Sequence, residues 1–374
     1  MSRLFFTVSL LIAGTFNAAF ARGEEDSPAA DAVAALRVKI DAVAQPFIDD
    51  GRAMGLVVGV VSPEGTHVFG YGRKLKGEDG SPDGDSLFEI GSITKVFTGL
   101  VLAGMAEEGL VKLDDPVRTL LPEGVKVPAR GDKEITLLNL STHSSALPRV
   151  PLALLFAGLE NPYAKFQPEQ LYEALAATEL QKDIGGQSEY SNLGVGLLGH
   201  ALALRAGMSY EELVKQRVCQ PLSLADTTVT LSDEQRARLA TGHTAEGEPT
   251  GNWDFDALAG AGAIRSTAHD MLRFASAQLG LTESPLAAAI ATSQQVHFDG
   301  EGGRYGLGWV LQKARGGELD FIWHNGGTGG YCSFLGIVKQ KQLGVVVLCN
   351  TSLIGRGSAA DEVAGNVIRS LLEE

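Results

Sequence analysis

Phe88-Glu89-Ile90-Gly91-Ser92-Ile93-Thr94-Lys95-Val96-Phe97 sets a hydroxyl and an amine three residues apart at the start of an apolar segment. The run that continues it, Val96 to Ala106, carries no charged residue and reads as a helix buried on every side rather than an amphipathic surface helix. Side chains at i and i+3 share a helix face, so Ser92 and Lys95 are expected within reach of one another in a dry place. Burial withholds water from an ammonium group and favours the neutral amine, which can take a proton from a neighbouring hydroxyl. A serine N-cap followed by a surface lysine would show the same spacing, so the reading depends on other stretches of the chain.

Upstream, Val33, Leu36, Ile40, Val43 and Phe47 recur at helical spacing, with Pro46 expected to bend the helix near its end. Leu56 to Ser62 and His67 to Gly72 read as two strands joined by Pro63-Glu64-Gly65-Thr66. Downstream, from Ser92 to about Ile290, the pattern is mostly helical. Asp115-Pro116 reads as an N-cap with proline at the first helical position, and Thr267 with Asp270 as a capping box. The period then returns to two: Tyr305 to Gln312, Leu319 to His324, Tyr331 to Val338 and Gly344 to Asn350 read as strands, before a last helix through Val363, Val367, Ile368 and Leu371. The pattern predicts an α+β fold: one antiparallel sheet built from both termini, flanked by terminal helices, with a mostly helical region inserted. The α/β part covers about 31–90 and 300–374 and the helical part about 92–290.

Residues 1–21 read as a secretory signal peptide: Arg3, an apolar core from Leu4 to Ala13, and Ala19-Phe20-Ala21 as the cleavage site. The core is too short to span a bilayer, so the remaining chain, 22–374, is expected to be periplasmic or secreted with no stable membrane span. The formal charge of -14 becomes about -15 without the leader, which opposes nucleic acid and anionic lipid as partners. Three cysteines are too few for a disulfide framework. A hairpin register that pairs Lys339 with Gln342 puts Cys332 opposite Cys349, so a cross-strand disulfide is one option there; Cys219 reads as core.

Two further stretches carry chemistry. Glu189-Tyr190-Ser191-Asn192-Leu193 presents a phenol and a carboxamide from one tight turn; the phenol can pass a proton, and the carboxamide can bond both the lysine and a substrate amide. Trp323-His324-Asn325-Gly326-Gly327-Thr328-Gly329-Gly330-Tyr331 is glycine-dense at a strand edge, as expected where a substrate lies close against backbone. The N–H of Gly327 with that of Ser92 would form an oxyanion hole. The seven histidines show no metal-ligand spacing, His143, His200 and His269 read as capping or core residues, and Tyr163 and Trp253 suit either cleft or core.

In this order and at these separations the three stretches resemble the penicillin-recognising serine hydrolases: class C β-lactamases, D-alanyl-D-alanine carboxypeptidases and related esterases. The resemblance extends to Leu140-Ser141-Thr142-His143-Ser144-Ser145-Ala146-Leu147-Pro148 and the final hairpin. It implies a β-lactamase/transpeptidase-like fold, with Ser92 the acylated nucleophile, Lys95 its base, Tyr190 the proton relay and Asn192 an anchor for lysine and substrate. It further implies Arg356 as a holder of a substrate carboxylate. The substrate would be a small molecule or a peptidoglycan peptide, and the mechanism needs no metal or organic cofactor. His324 stands where class C enzymes usually carry lysine, and Thr94 where they prefer a smaller residue; both weaken the specific β-lactamase reading and leave acyl transfer intact. A carboxylesterase of the same fold, and a non-catalytic cell-wall sensor, are the rival readings.

Overall fold

The computed structural model describes residues 28–156, 158, 160–314, 317–355 and 357–373. The leader segment and Arg356 lie outside them. Helix α1 (Pro28–Asp49) precedes the hairpin β1 (Gly55–Ser62) and β2 (Gly65–Gly72), and the short strand β3 (Leu87–Glu89) leads into a 3-10 turn, Gly91–Ile93, and α2 (Thr94–Glu107). The helical region continues with α3 (Leu137–Ser141), α4 (Pro168–Ala177), α5 (Asn192–Ala206), α6 (Tyr210–Val214) and α7 (Asp233–Ala237). After β4 (Arg265–Thr267) come α8 (Ala268–Leu279) and α9 (Ala287–Ser293). The chain then builds β5 (Phe298–Gly300), β6 (Gly303–Tyr305), β7 (Val310–Ala314), β8 (Leu319–Gly327), β9 (Cys332–Val338) and β10 (Leu343–Cys349), and closes with α10 (Ala359–Leu372).

The main sheet runs β2-β1-β10-β9-β8-β7-β6-β5, antiparallel at every step, and the N-terminal hairpin joins the C-terminal strands through β1 and β10. That is the sheet from both termini expected from the pattern. Both of its faces are covered, which is why β1 and β10 read as nearly unbroken apolar runs rather than alternating ones. Val58, Val60, Val345 and Val347 face α1 and α10 through Ile40, Ala44, Val363 and Val367. Val57, Val61, Val346 and Leu348 face the helical region through Phe97, Leu272 and Phe274. A second, two-stranded sheet pairs β3 with β4, so the segment before Ser92 is anchored 176 residues away along the chain, Glu89 opposite Arg265.

Several local expectations change. Tyr305 to Gln312 is two strands, because Gly308 at φ +74° turns the backbone between β6 and β7. Asp115-Pro116 caps no α-helix: Pro116 is extended at ψ 127°, Val117–Leu120 is a 3-10 turn, and the Asp115 carboxylate accepts from Lys112 N instead. Thr267 does cap α8 by accepting from Asp270 N, but the Asp270 carboxylate turns to Asp226 N and Thr227, so the box is only half made. The hairpin register is as read, with Lys339 to Gln342 at the turn and Cys332 opposite Cys349; the two buried sulfurs are free thiols, not a disulfide. Cys219 is buried in the core.

Candidate active site

Ser92 sits in the 3-10 turn that precedes α2, and Lys95 is the second residue of that helix. Every α2 residue from Thr94 to Ala103 is buried, so Lys95 has no access to water. Its Nζ has three neighbours: Ser92 Oγ at 3.0 Å, Asn192 Oδ1 at 2.8 Å and the carbonyl of Ala261 at 2.6 Å. Two of these can only accept. A neutral amine has two N–H groups and one lone pair, so donation to Asn192 and Ala261 leaves the lone pair for the Ser92 hydroxyl. Burial, and then the positive charge of Arg149, hold Lys95 well below the usual lysine range. The amine is therefore oriented as a base and favoured in its basic form.

The phenol of Tyr190 lies within the influence of the Ser92 hydroxyl, and the Lys95 Nζ lies 4.8 Å from the centre of its ring. Burial pushes the phenol well up, with Ser92 and Arg149 opposing, so it stays protonated and can hand a proton on. Tyr190 and Asn192 are placed by the residue between them: Ser191 is the N-cap of α5, its Oγ accepting from Gly194 N and donating to Pro148 O. The segment from His143 to Arg149 buttresses this turn. His143 Nδ1 accepts from Ser191 N at 3.1 Å, its ring packs on Tyr190 at 4.5 Å, and the Arg149 carbonyl accepts from Asn192 N at 2.8 Å. Asn192 Nδ2 donates in turn to the buried Tyr163 hydroxyl, whose ring stacks on Phe255 and leans on Trp253.

The third stretch ends β8, and its backbone lies directly on that of the first. A β-carbon on Gly91, at φ +49°, would stand 2.6 Å from Gly327 N, and one on Gly326 would collide with Ile90 O. Only glycines let the two strands of backbone close to this distance, which sets Gly327 N–H beside the residue that precedes Ser92. His324 is buried on the same strand, 6.2 Å from the Tyr190 ring, with Nδ1 donating to Asn325 O at 2.6 Å. Burial and the nearby Lys95 push it down to about 3, so it is neutral at neutral pH. The partial cation expected at this position is therefore absent.

Ser92, Lys95, Tyr190, Asn192, His324 and Gly327 are thus brought together from the turn into α2 and its first residues, the turn into α5 and its first residue, and β8. Sequence reasoning left out His143, treated as capping or core, together with Arg149 and the carbonyl of Ala261. His143 and Ala146 both hold positive φ, 59° and 61°, a feature that side-chain identity does not announce. Behind Ser92, Glu89 accepts from Trp253 N and from Arg265 Nη2, both 3.0 to 3.1 Å away, and the pair is almost fully buried.

A buried neutral histidine has a testable consequence for stability. Between its depressed value and the ordinary one near 6.5, the folded chain binds fewer protons at His324 than the unfolded chain, so this contribution is complete above pH 6.5 and is lost as pH falls toward 3. His143, shifted in the same direction by burial and by Lys95, adds to it. Replacing His324 with glutamine should make the urea midpoint less sensitive to acid between pH 7 and 4, by on the order of 3 kcal/mol at most. Paired urea titrations of both proteins check this, since the carboxylates contribute equally to each.

The family model described as Beta-lactamase matches residues 40–365. The chain belongs to the beta-lactamase family. Among curated members of this family, the D-alanyl-D-alanine-carboxypeptidase/endopeptidase AmpH of Escherichia coli strain K12 is 31% identical over 331 residues, covering 85% of this chain and 84% of that one. A beta-lactamase of Pseudomonas fluorescens is 27% identical, over 84% of this chain and 93% of its own. A solved beta-lactamase/D-alanine carboxypeptidase from Yersinia pestis superposes with a TM-score of 0.77 at 27% identity, covering 91% of this chain and 99% of that one. A class C beta-lactamase from Rhodobacter sphaeroides gives 0.78 at 25% identity, over 89% and 99%. The beta-lactamase/transpeptidase-like fold expected from the three stretches is the fold of this chain.

Proposed function

We propose that this beta-lactamase-family enzyme is an exported serine hydrolase that forms an acyl-enzyme at Ser92, acting on peptides ending in D-alanyl-D-alanine and acylated by β-lactams. The observation that carries the reading is the three-way seating of Lys95 Nζ on Ser92, Asn192 and Ala261. Ser92 Oγ attacks the scissile carbonyl while its proton passes to the Lys95 lone pair. The tetrahedral oxyanion is held by the N–H groups of Ser92 and Gly327, one such donor being worth about 3 kcal/mol of barrier. Tyr190 gives its proton to the departing amine and takes back the one held by Lys95, which leaves Lys95 neutral again to activate the water that releases the acyl chain. The relative named as a carboxypeptidase/endopeptidase supports the peptide substrate.

Among the described residues no helix is long and apolar enough to cross a membrane. Export rests on the leader read in residues 1–21.

Incubation with benzylpenicillin should add its mass to the peptide bearing Ser92, and a diacyl-lysyl-D-alanyl-D-alanine should release D-alanine. A chromogenic cephalosporin should be consumed in a stoichiometric burst followed by slow turnover. Rapid steady hydrolysis of the cephalosporin with no release of D-alanine would reverse the order of substrates. Failure of any acyl adduct to form on Ser92 would remove the mechanism.

A further inference from the structure

Arg149 follows directly on the segment that clamps the second stretch, and its backbone and side chain do different things. The carbonyl is spent on Asn192 N and Leu193 N, fixing the turn into α5. The side chain is exposed, and its guanidinium carbon lies 4.9 Å from the centre of the Tyr190 ring. Among the described residues no carboxylate pairs with it, although the chain has 45 acidic against 31 basic residues to draw on. The other basic groups gathered at the site, Lys95, His143 and His324, are buried where the neutral forms are favoured. Arginine keeps its charge and offers a planar fork of donors suited to a carboxylate. Its charge acts on the hydroxyl of Tyr163, which accepts from Asn192, the carboxamide that would take a substrate amide.

We propose that Arg149 is a specificity-determining residue that recognises an anionic group, a carboxylate, on the acyl portion of the substrate. This rests on the serine-hydrolase reading above and names the substrate class within it. The ring of Tyr190 holds the guanidinium beside the site by a cation–π contact, which pre-organises the fork. A substrate carboxylate would supply the partner that the fold withholds.

The test compares N-glutaryl-D-alanyl-D-alanine with its glutaramoyl counterpart, which differs only in ending in a carboxamide. The unaltered enzyme should prefer the carboxylate in kcat/KM by about 10-fold or more, the size expected of one charge-assisted hydrogen-bonded contact, and the preference should shrink as ionic strength rises. Arg149→Gln should bring the ratio of the two close to unity, and Arg149→Lys should restore part of it. Acylation of Ser92 by carbenicillin and benzylpenicillin, which differ by a side-chain carboxylate, reads the same ratio without turnover. Equal use of both members of each pair by the unaltered enzyme would overturn the proposal. So would an Arg149→Gln protein that loses the same factor on both, because a residue acting only through Tyr190 or through folding cannot tell the two substrates apart. Absence of any Ser92 adduct with either penicillin, together with no turnover of either dipeptide, would overturn the underlying reading and this proposal with it.

Discussion

Replacing Lys95 with methionine should lower the second-order rate of Ser92 acylation by on the order of 10³- to 10⁴-fold, the upper range for loss of a positioned general base. Methionine fills much of the same space in the apolar interior of α2, so the loss reflects chemistry rather than collapse of the helix. Without the amine, the Ser92 hydroxyl has no acceptor of sufficient basicity beside it. Tyr190 cannot substitute, because burial keeps its phenol protonated. Stopped-flow acylation by benzylpenicillin, with circular dichroism to confirm the fold, checks this. An acylation rate within tenfold of the parent would mean that another group takes the serine proton.

Replacing Glu89 with alanine should be the most destabilising single change near the site. Glu89 is 3% and Arg265 6% exposed, and removal of the carboxylate leaves a guanidinium charge in the interior. Breaking a buried pair from one side costs about 3 to 5 kcal/mol. For a chain of this size that is a fall in Tm of about 4 to 7 °C. Glutamine at the same position keeps an acceptor for Trp253 N and for Arg265 and should lose less. Burial raises the Glu89 carboxyl above the usual carboxylate range, and the charge of Arg265 opposes that shift. Differential scanning calorimetry of both variants tests the ordering, and an alanine variant as stable as the parent would show that Asp254 alone suffices to hold Arg265.

Much of this architecture was legible because it is periodic. Burial of both faces of β1 and β10, and all-round burial on α2, are written in residue type, and the hairpin turn at Lys339 to Gln342 set the register that places Cys332 opposite Cys349. The three stretches that converge on Lys95 were legible through side chains that do chemistry. What escaped was carried by backbone or by distance in sequence. His143 and Arg149 hold the Tyr190 turn through a ring nitrogen and a carbonyl, which any residue list hides. Ala261 contributes only its main-chain oxygen to Lys95. The Glu89–Arg265 pair joins positions 176 apart, and nothing in either local sequence names the other. The burial that neutralises His324 likewise comes from tertiary packing, so its type alone suggested a partial cation where the structure leaves none.

Acyl transfer at Ser92 requires Lys95 to act as a neutral amine, and the protonation state of this side chain can be read directly. Protein labelled with ¹³C at the lysine ε-carbon, with Lys95→Met identifying the resonance, should show Lys95 losing its proton well below the pH near 10.4 at which an exposed lysine titrates. A Lys95 signal that stays in the ammonium position until pH 10 would rule out the neutral amine as the base.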